Sequence, residues 1–182
     1  MRCLFDKDVS LQSILYVLKR MGGKCDMHKI CKIFYFADQR HLSEYGRSIT
    51  GDDYIAMNYG PVPSRIDDIL KAVRGDSYFS DTEYAKSLKS CLCFFNRFYI
   101  QALVVPDMDY LSDSDVECLD WSIELCRNKS FDELTAFSHG PAWQNTNRDR
   151  RMSVKDILRE AGDSESYVQY IDMKLKTELC SL

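Results

Sequence analysis

The chain has 182 residues, 28 acidic against 24 basic, and a formal charge of −4. Its length suits one domain, or one domain with a helical extension, and its 45% hydrophobic content is ordinary for a packed core. The acidic balance argues against broad nucleic-acid binding, no stretch approaches the roughly 20 apolar residues of a membrane span, and no basic segment leads into an apolar signal-peptide run, so a cytoplasmic location is expected.

Val9, Leu11, Ile14, Leu15, Leu18 and Met21 predict a first amphipathic helix, stopped by Gly22-Gly23. Asp26 is a good N-cap for a second helix from about Met27 to Tyr45, with Ile30, Ile33, Phe34 and Ala37 on its apolar face and Gly46 just past its end. Tyr35, Phe36, His41 and Tyr45 widen that face, which makes this helix the central one. The short connection predicts that the two helices are antiparallel neighbours. Arg47 to Asp53 reads as a loop and Tyr54 to Tyr59 as a short strand, after which Gly60-Pro61 turns the chain. Pro63 is expected just inside a third helix lined by Ile66, Ile69, Leu70 and Val73 and closed by Gly75. Asp76 to Lys89 has no clear pattern. Cys91 to Val105 is rich in aromatic and β-branched residues and predicts either one hairpin, turning at Asn96-Arg97 without the glycine of the tightest turns, or two short strands, joined by the strand at Tyr54.

Three helix starts follow, each with capping-box spacing: Ser112 with Asp115, Ser130 with Glu133, and Ser153 with Asp156. Val116, Leu119, Ile123 and Cys126 line the first helix, and Phe131, Leu134 and Phe137 the second. Val154, Ile157, Leu158 and Ala161 line the third, closed by Gly162. A last helix is expected over about 164–179 through Val168, Ile171 and Leu175. With no repeat and no linker, the expected fold is mostly α (α+β): a single compact helical domain over 1–182 with a small antiparallel β element.

No pattern points to catalysis, a metal or a cofactor. Cys25, His28 and Cys31 are spaced by three and drift around a helix instead of converging. The eight cysteines, Cys3, Cys25, Cys31, Cys91, Cys93, Cys118, Cys126 and Cys180, contain no Cys-x-x-Cys pair and are expected as packed thiols, with Cys118 and Cys126 inert on a buried helix face. Ser138-His139 are sequence neighbours, which seldom pair as nucleophile and base; His139 is expected to meet the last carbonyls of its helix, and a hydrolase using His139 is the enzyme alternative. Asp38 is expected to pair with Arg47 or Arg65, and Asp52 and Asp53 to bond their own turn. Gly46, Gly51 and Gly60 have no phosphate-loop spacing. Arg148, Arg150 and Arg151 read as a solvated patch or a contact for an acidic partner. Tyr35, Tyr45, Tyr54 and Tyr59 divide between core packing and interface, and Trp143 is expected to plug the loop above it.

The most particular stretch runs from Lys32 to Arg65. Through Tyr35, Ala37, Asp38, His41, Leu42, Tyr45, Gly46, Arg47, Ile49, Thr50, Gly51, Asp52, Tyr54, Ala56, Met57, Tyr59, Gly60, Pro61, Val62 and Pro63 it resembles the signature of the Panacea domain family of SocA-like and phage-associated GepA-like antitoxins. A looser patch, Leu111-Ser112, Leu134, Ser138-His139 and Ala142-Trp143, is similar to the same family, so the resemblance spans roughly residues 10–165. It implies an antitoxin that neutralises a cognate protein toxin by direct binding. The alternative it implies is an adaptor that delivers the toxin to a ClpXP-type protease, for which the end of the chain, Glu178 to Leu182, would be available. The expected partner-binding residues are Arg47, Asp52, Tyr59, Gly60, Pro61, Val62, Pro63 and Arg65. Tyr35, Asp38, His41, Tyr45, Gly46, Gly51, His139 and Trp143 are expected to be structural.

Overall fold

The computed structural model describes residues 5–76 and 82–180, without the side chains of 178–180. Its first helix, α1 (Lys7–Arg20), is capped by Asp6, whose carboxylate accepts the amides of Asp8 and Val9. The second, α2 (Met27–Tyr45), has the expected bounds: Asp26 accepts the Lys29 amide at 3.0 Å, and Gly46 closes the helix in the left-handed conformation. Between them the connection forms a strand, β1 (Lys24–Asp26), that sequence reading missed. The two helices are not close packing neighbours. Each packs on α5 (Asp113–Arg127), where the Tyr16 hydroxyl meets Asp120 and the Ser122 hydroxyl meets the Ile33 carbonyl.

The expected hairpin is present as β4 (Leu92–Phe94) and β5 (Tyr99–Ala102). Its third strand is β1, in the order β1-β5-β4 with Cys25 opposite Ile100, and not the strand at Tyr54. That strand, β2 (Tyr54–Met57), forms a two-stranded ladder with β3 (Gly60–Pro63), with a single further bridge from Ile55 to Arg151. Gly60-Pro61 is thus strand, and the reversal falls one step earlier, at Asn58-Tyr59. The outer edge of β2 is covered by the 149–152 segment: the Ala56 amide donates to Arg150, and the Met152 amide to Tyr54. Since Tyr54 and Ala56 turn their main chain away from β3, their opposites Pro63 and Pro61 turn theirs outward as well. A missing N–H there removes no ladder bond, which is why two prolines fit this strand.

Pro63 is the cap residue before α3 (Ser64–Arg74), one place outside the helix. Proline has no side-chain acceptor, and the cap is supplied from a distance: the Asp52 carboxylate accepts the amides of Arg65 and Ile66, both at 2.9 Å. Asp52 thus serves a remote helix end besides its own turn, where it accepts the Asp53 amide. The unassigned segment contains α4 (Glu83–Cys91), capped by Thr82; residues 77–81 lie outside the described part.

The capping boxes of α5 and of α6 (Phe131–Ser138) are complete. The third is not: Ser153 makes no side-chain cap to α8 (Val154–Ala161), and Asp156 is engaged by Arg159 at 3.0 Å. One further turn, α7 (Pro141–Gln144), starts with proline after Gly140, and α9 (Glu165–Cys180) ends the described chain. On α6 only Leu134 of the three expected lining residues is buried; Phe131 and Phe137 are 46% and 50% exposed. The chain is mostly helical with small antiparallel sheets, and α2 lies at its centre against α5, β3, α8 and α6. Ile30, Ile33, Phe34, Tyr35 and Ala37 are fully buried there.

The caps can be separated experimentally. Ser130→Ala should lower the unfolding free energy by about 1 kcal/mol, and Ser153→Ala by only a few tenths (roughly). Urea unfolding of both variants checks this, and equal losses would contradict the assigned caps.

Candidate functional site

The central helix carries three polar side chains inward, Lys32, Asp38 and His41, each fully buried. Each holds part of the segment that follows. Asp38 accepts the Ile49 amide and the Tyr54 hydroxyl, both at 2.7 Å. It pairs with neither Arg47 nor Arg65, because the loop brings main chain to it and sends the arginines elsewhere. Burial pushes its pKa up to about 6 in spite of both bonds. The Arg47 guanidinium lies 2.8 Å from the buried Asp115 carboxylate. His41 sits beneath, donating through Nδ1 to the Arg47 carbonyl at 2.8 Å, with Nε2 3.1 Å from Asp115. Burial works against the Asp115 charge, but hydrogen bonds from His41 and Ser112 and the Arg47 charge hold its carboxyl well below the usual range.

Lys32 donates to the Pro61 carbonyl at 2.8 Å, taking the outward acceptor of β3. Burial brings its pKa down to about 8. Gly60 makes this approach feasible: at φ 96° it is in a region that favours glycine, and a Cβ there would overlap Ser138 Oγ and lie 2.8 Å from Lys32 Nζ. On the other side, the Trp143 indole donates to the Met57 carbonyl at 2.9 Å and stacks on His139 at 3.6 Å. The Tyr35 hydroxyl meets Glu160, whose second oxygen accepts the Ala142 amide at 2.8 Å. The Tyr45 ring packs on His41 and its hydroxyl meets Glu117 at 2.9 Å. Gly46 and Gly51 both take positive φ, at 67° and 74°.

The side chains of catalytic type among these are bonded elsewhere. Ser138 Oγ donates to the Thr135 carbonyl, while the His139 ring bonds the Asn58 main chain and stacks on Trp143, instead of meeting the last carbonyls of its own helix. Burial and the Lys32 charge lower its pKa. His41, Asp115 and Ser114 have the residue types of a catalytic trio, yet Asp115 and Ser114 both face Nε2, so no relay runs through the ring. Among the described residues no group of His, Cys, Asp or Glu is placed to hold a metal, and no helix is long and apolar enough to cross a membrane. Cys25, Cys31, Cys118 and Cys126 are buried thiols, and burial pushes the first three up to about 12. Cys3 and the Cys180 side chain lie outside the described part.

Of the expected contact residues, Asp52, Gly60, Pro61 and Pro63 are buried, Arg47 and Val62 half-buried, and only Tyr59 and Arg65 exposed. They do not border one rim. Asp52 and Gly51 face a small pocket with Tyr54, Arg151 and Val154, and Arg65 borders another with Ile69, Tyr84 and Leu88. Tyr59 and Val62 line a groove of about 460 Å³ with Met27, Met57, Phe98 and Phe131. Tyr59 is 59% exposed and meets the Phe131 ring edge-on at 5.2 Å, and Phe131 packs on His28 at 4.2 Å. Sequence reading missed Phe131 and Phe98, since one was assigned to a helix core and the other to a strand. The basic cluster is partly neutralised: Arg151 pairs with Asp53 and Arg148 with Asp149.

A scan against protein-family models matches residues 30–144 to the family described as Antitoxin SocA-like, Panacea domain. The match begins in α2 and ends with α7, so it takes in the buried polar groups, the β2–β3 hairpin and Trp143. Comparisons with curated proteins and with solved structures gave no match.

Two outcomes test the hairpin anchor. Gly60→Ala should destabilise the fold by at least about 1 kcal/mol, from positive-φ strain and the overlap with Ser138. For Lys32 the unfolded chain keeps its proton up to pH 10.5 and the folded chain releases it near 8, so its contribution improves as pH rises between those values. Lys32→Met removes this titration. Its stability relative to the unmodified chain should fall by about 3 kcal/mol between neutral pH and pH 10.5, read from urea unfolding, and a constant difference would refute it.

Proposed function

Because the chain belongs to the Antitoxin SocA-like, Panacea domain family, we propose that it is a cytoplasmic antitoxin that holds a cognate protein toxin inactive by binding it directly. The observation that carries this reading to a surface is Tyr59. Its ring projects from a two-residue hairpin turn whose strands are held by the 149–152 segment, by Lys32 and by Trp143. An exposed aromatic on a rigid support contacts a partner without a large ordering penalty, and tyrosine is enriched at the centres of interfaces. Val62, Met57 and Phe131 extend the apolar floor around it. Asp52, Gly60, Pro61 and Pro63 act from beneath by fixing the hairpin and the start of α3, Arg47 by fixing the loop, and Arg65 offers a second contact on the neighbouring face. The mode is binding by the whole chain, with no chemical step.

An adaptor needs a second surface for a protease. The chain end expected for this, the side chains of Glu178 to Leu182, lies outside the described part; exposed Tyr170 and Met173 on α9 offer a surface, and this keeps delivery to a ClpXP-type protease as the second reading.

Co-expression with each flanking open reading frame tests both. Under direct neutralisation, a neighbour that is toxic alone becomes harmless and co-purifies; Tyr59→Ala weakens that complex at least tenfold, about 1.4 kcal/mol, with the melting temperature unchanged. If rescue comes with a falling toxin level and no stable complex, delivery to a protease is favoured. A complex indifferent to both Tyr59→Ala and Arg65→Ala would remove this surface from the reading.

A further inference from the structure

The β4–β5 hairpin ends in Phe95-Asn96-Arg97-Phe98, and its tip is well tied. The Asn96 side chain accepts the amides of Phe98 and Tyr99, both at 2.9 Å. The Phe98 carbonyl accepts the Met27 amide at 2.9 Å, and the Arg97 carbonyl accepts from Arg74 at 3.2 Å. On this support Phe95 and Phe98 stand 68% and 61% exposed. Phe98 also lines the groove beside Tyr59, so hairpin tip and groove form one continuous apolar surface.

Its charges divide into two sets. Those bordering the groove are satisfied within the chain: Lys71 pairs with Asp67, Arg74 with Asp76, and Asp26 caps α2. At the hairpin, Lys24 lies over the Phe95 ring at 5.2 Å and Arg97 separates the two phenylalanines' ends of the turn. Among the described residues neither cation has a carboxylate partner, although the chain as a whole is acidic.

We propose that this surface receives an acidic amphipathic segment of the partner protein, its apolar side chains seated on Tyr59, Phe98 and Phe131 and its carboxylates on Lys24 and Arg97. The proposal rests on the antitoxin reading for the partner's identity. The neutralised groove disfavours a charged side chain at the centre, where desolvation would go unpaid. Lys24 and Arg97, exposed on the sheet whose hairpin tip supplies Phe98, favour carboxylates there, which steer association and set orientation. Apolar anchors at helical spacing suit a groove of this size. A nucleic acid would also offer negative charge and stacking bases, but Lys24 and Arg97 on a chain of net charge −4 form a poor counterpart to a polyanion.

The test uses the full chain and fluorescence anisotropy with three labelled probes. Two are helical peptides with identical leucine positions, one with glutamates and one with lysines at the remaining sites; the third is an oligothymidine. The acidic peptide should bind at least tenfold more tightly than the basic one, and Lys24→Glu with Arg97→Glu should reverse that order. Phe98→Ser should weaken both peptides. Equal binding of the two peptides, preference for the basic one, absence of saturable binding, or tighter oligothymidine binding that the charge reversal abolishes would each overturn the proposal. A toxin complex broken by Tyr59→Ala but indifferent to the double reversal would sink this inference and leave the antitoxin reading standing.

Discussion

A helix packed on nearly every side must find a partner for each polar group it carries inward, and α2 carries three. In a medium of low dielectric an unpaired ammonium, carboxylate or imidazole costs several kcal/mol (roughly), more than most single contacts return. Lys32, Asp38 and His41 meet this constraint by reaching forward along the chain, to Pro61, to Ile49 with Tyr54, and to Arg47. The loop after α2 and the β2–β3 hairpin are positioned by these demands. Apolar packing alone would place them less exactingly, since dispersion contacts carry little directional information.

The same constraint explains why much of the motif-bearing stretch lies inside. Gly60 has no side chain because Lys32 and Ser138 occupy its place, and the two prolines lie where β3 has no inward amide to offer. Asp52 is buried because it caps a helix whose own first residues cannot. What reaches solvent is the turn between the strands, and there Tyr59 stands out. Rigidity below and exposure above are two consequences of one set of buried bonds. They give a binding protein a surface that needs little reordering when a partner arrives.

The groove beside Tyr59 is assembled from remote pieces: the start of α2, the β2–β3 hairpin, one side of α3, the tip of β4–β5 and the first residue of α6. Phe131 shows how such a surface escapes notice. It follows a good N-cap and has the apolar character of a core residue, yet α6 is short and buries mainly Leu134. Its ring instead bridges His28 and Tyr59.

The central helix was legible nearly to its ends, because its cap, its periodicity and its terminal glycine are local and agree with one another, although Tyr45, read into its apolar face, is 41% exposed. The same holds for the boxes at Ser112 and Ser130, and the run of matching residues from Tyr35 to Pro63 was enough to suggest the family. The tertiary structure decided everything that depends on distant partners. It gave the hairpin β1 as its third strand, turned Asp52 toward α3, sent Arg47 to Asp115 in place of Asp38, and left Ser153 without its cap. It also sorted the eight expected contact residues into four buried, two half-buried and two exposed. The physical reason is common to all of these: secondary structure follows bonds between near neighbours, which the order of residues displays. Burial and ion pairing depend on which segments meet in space, and nothing within a window of ten or so residues (roughly) encodes that.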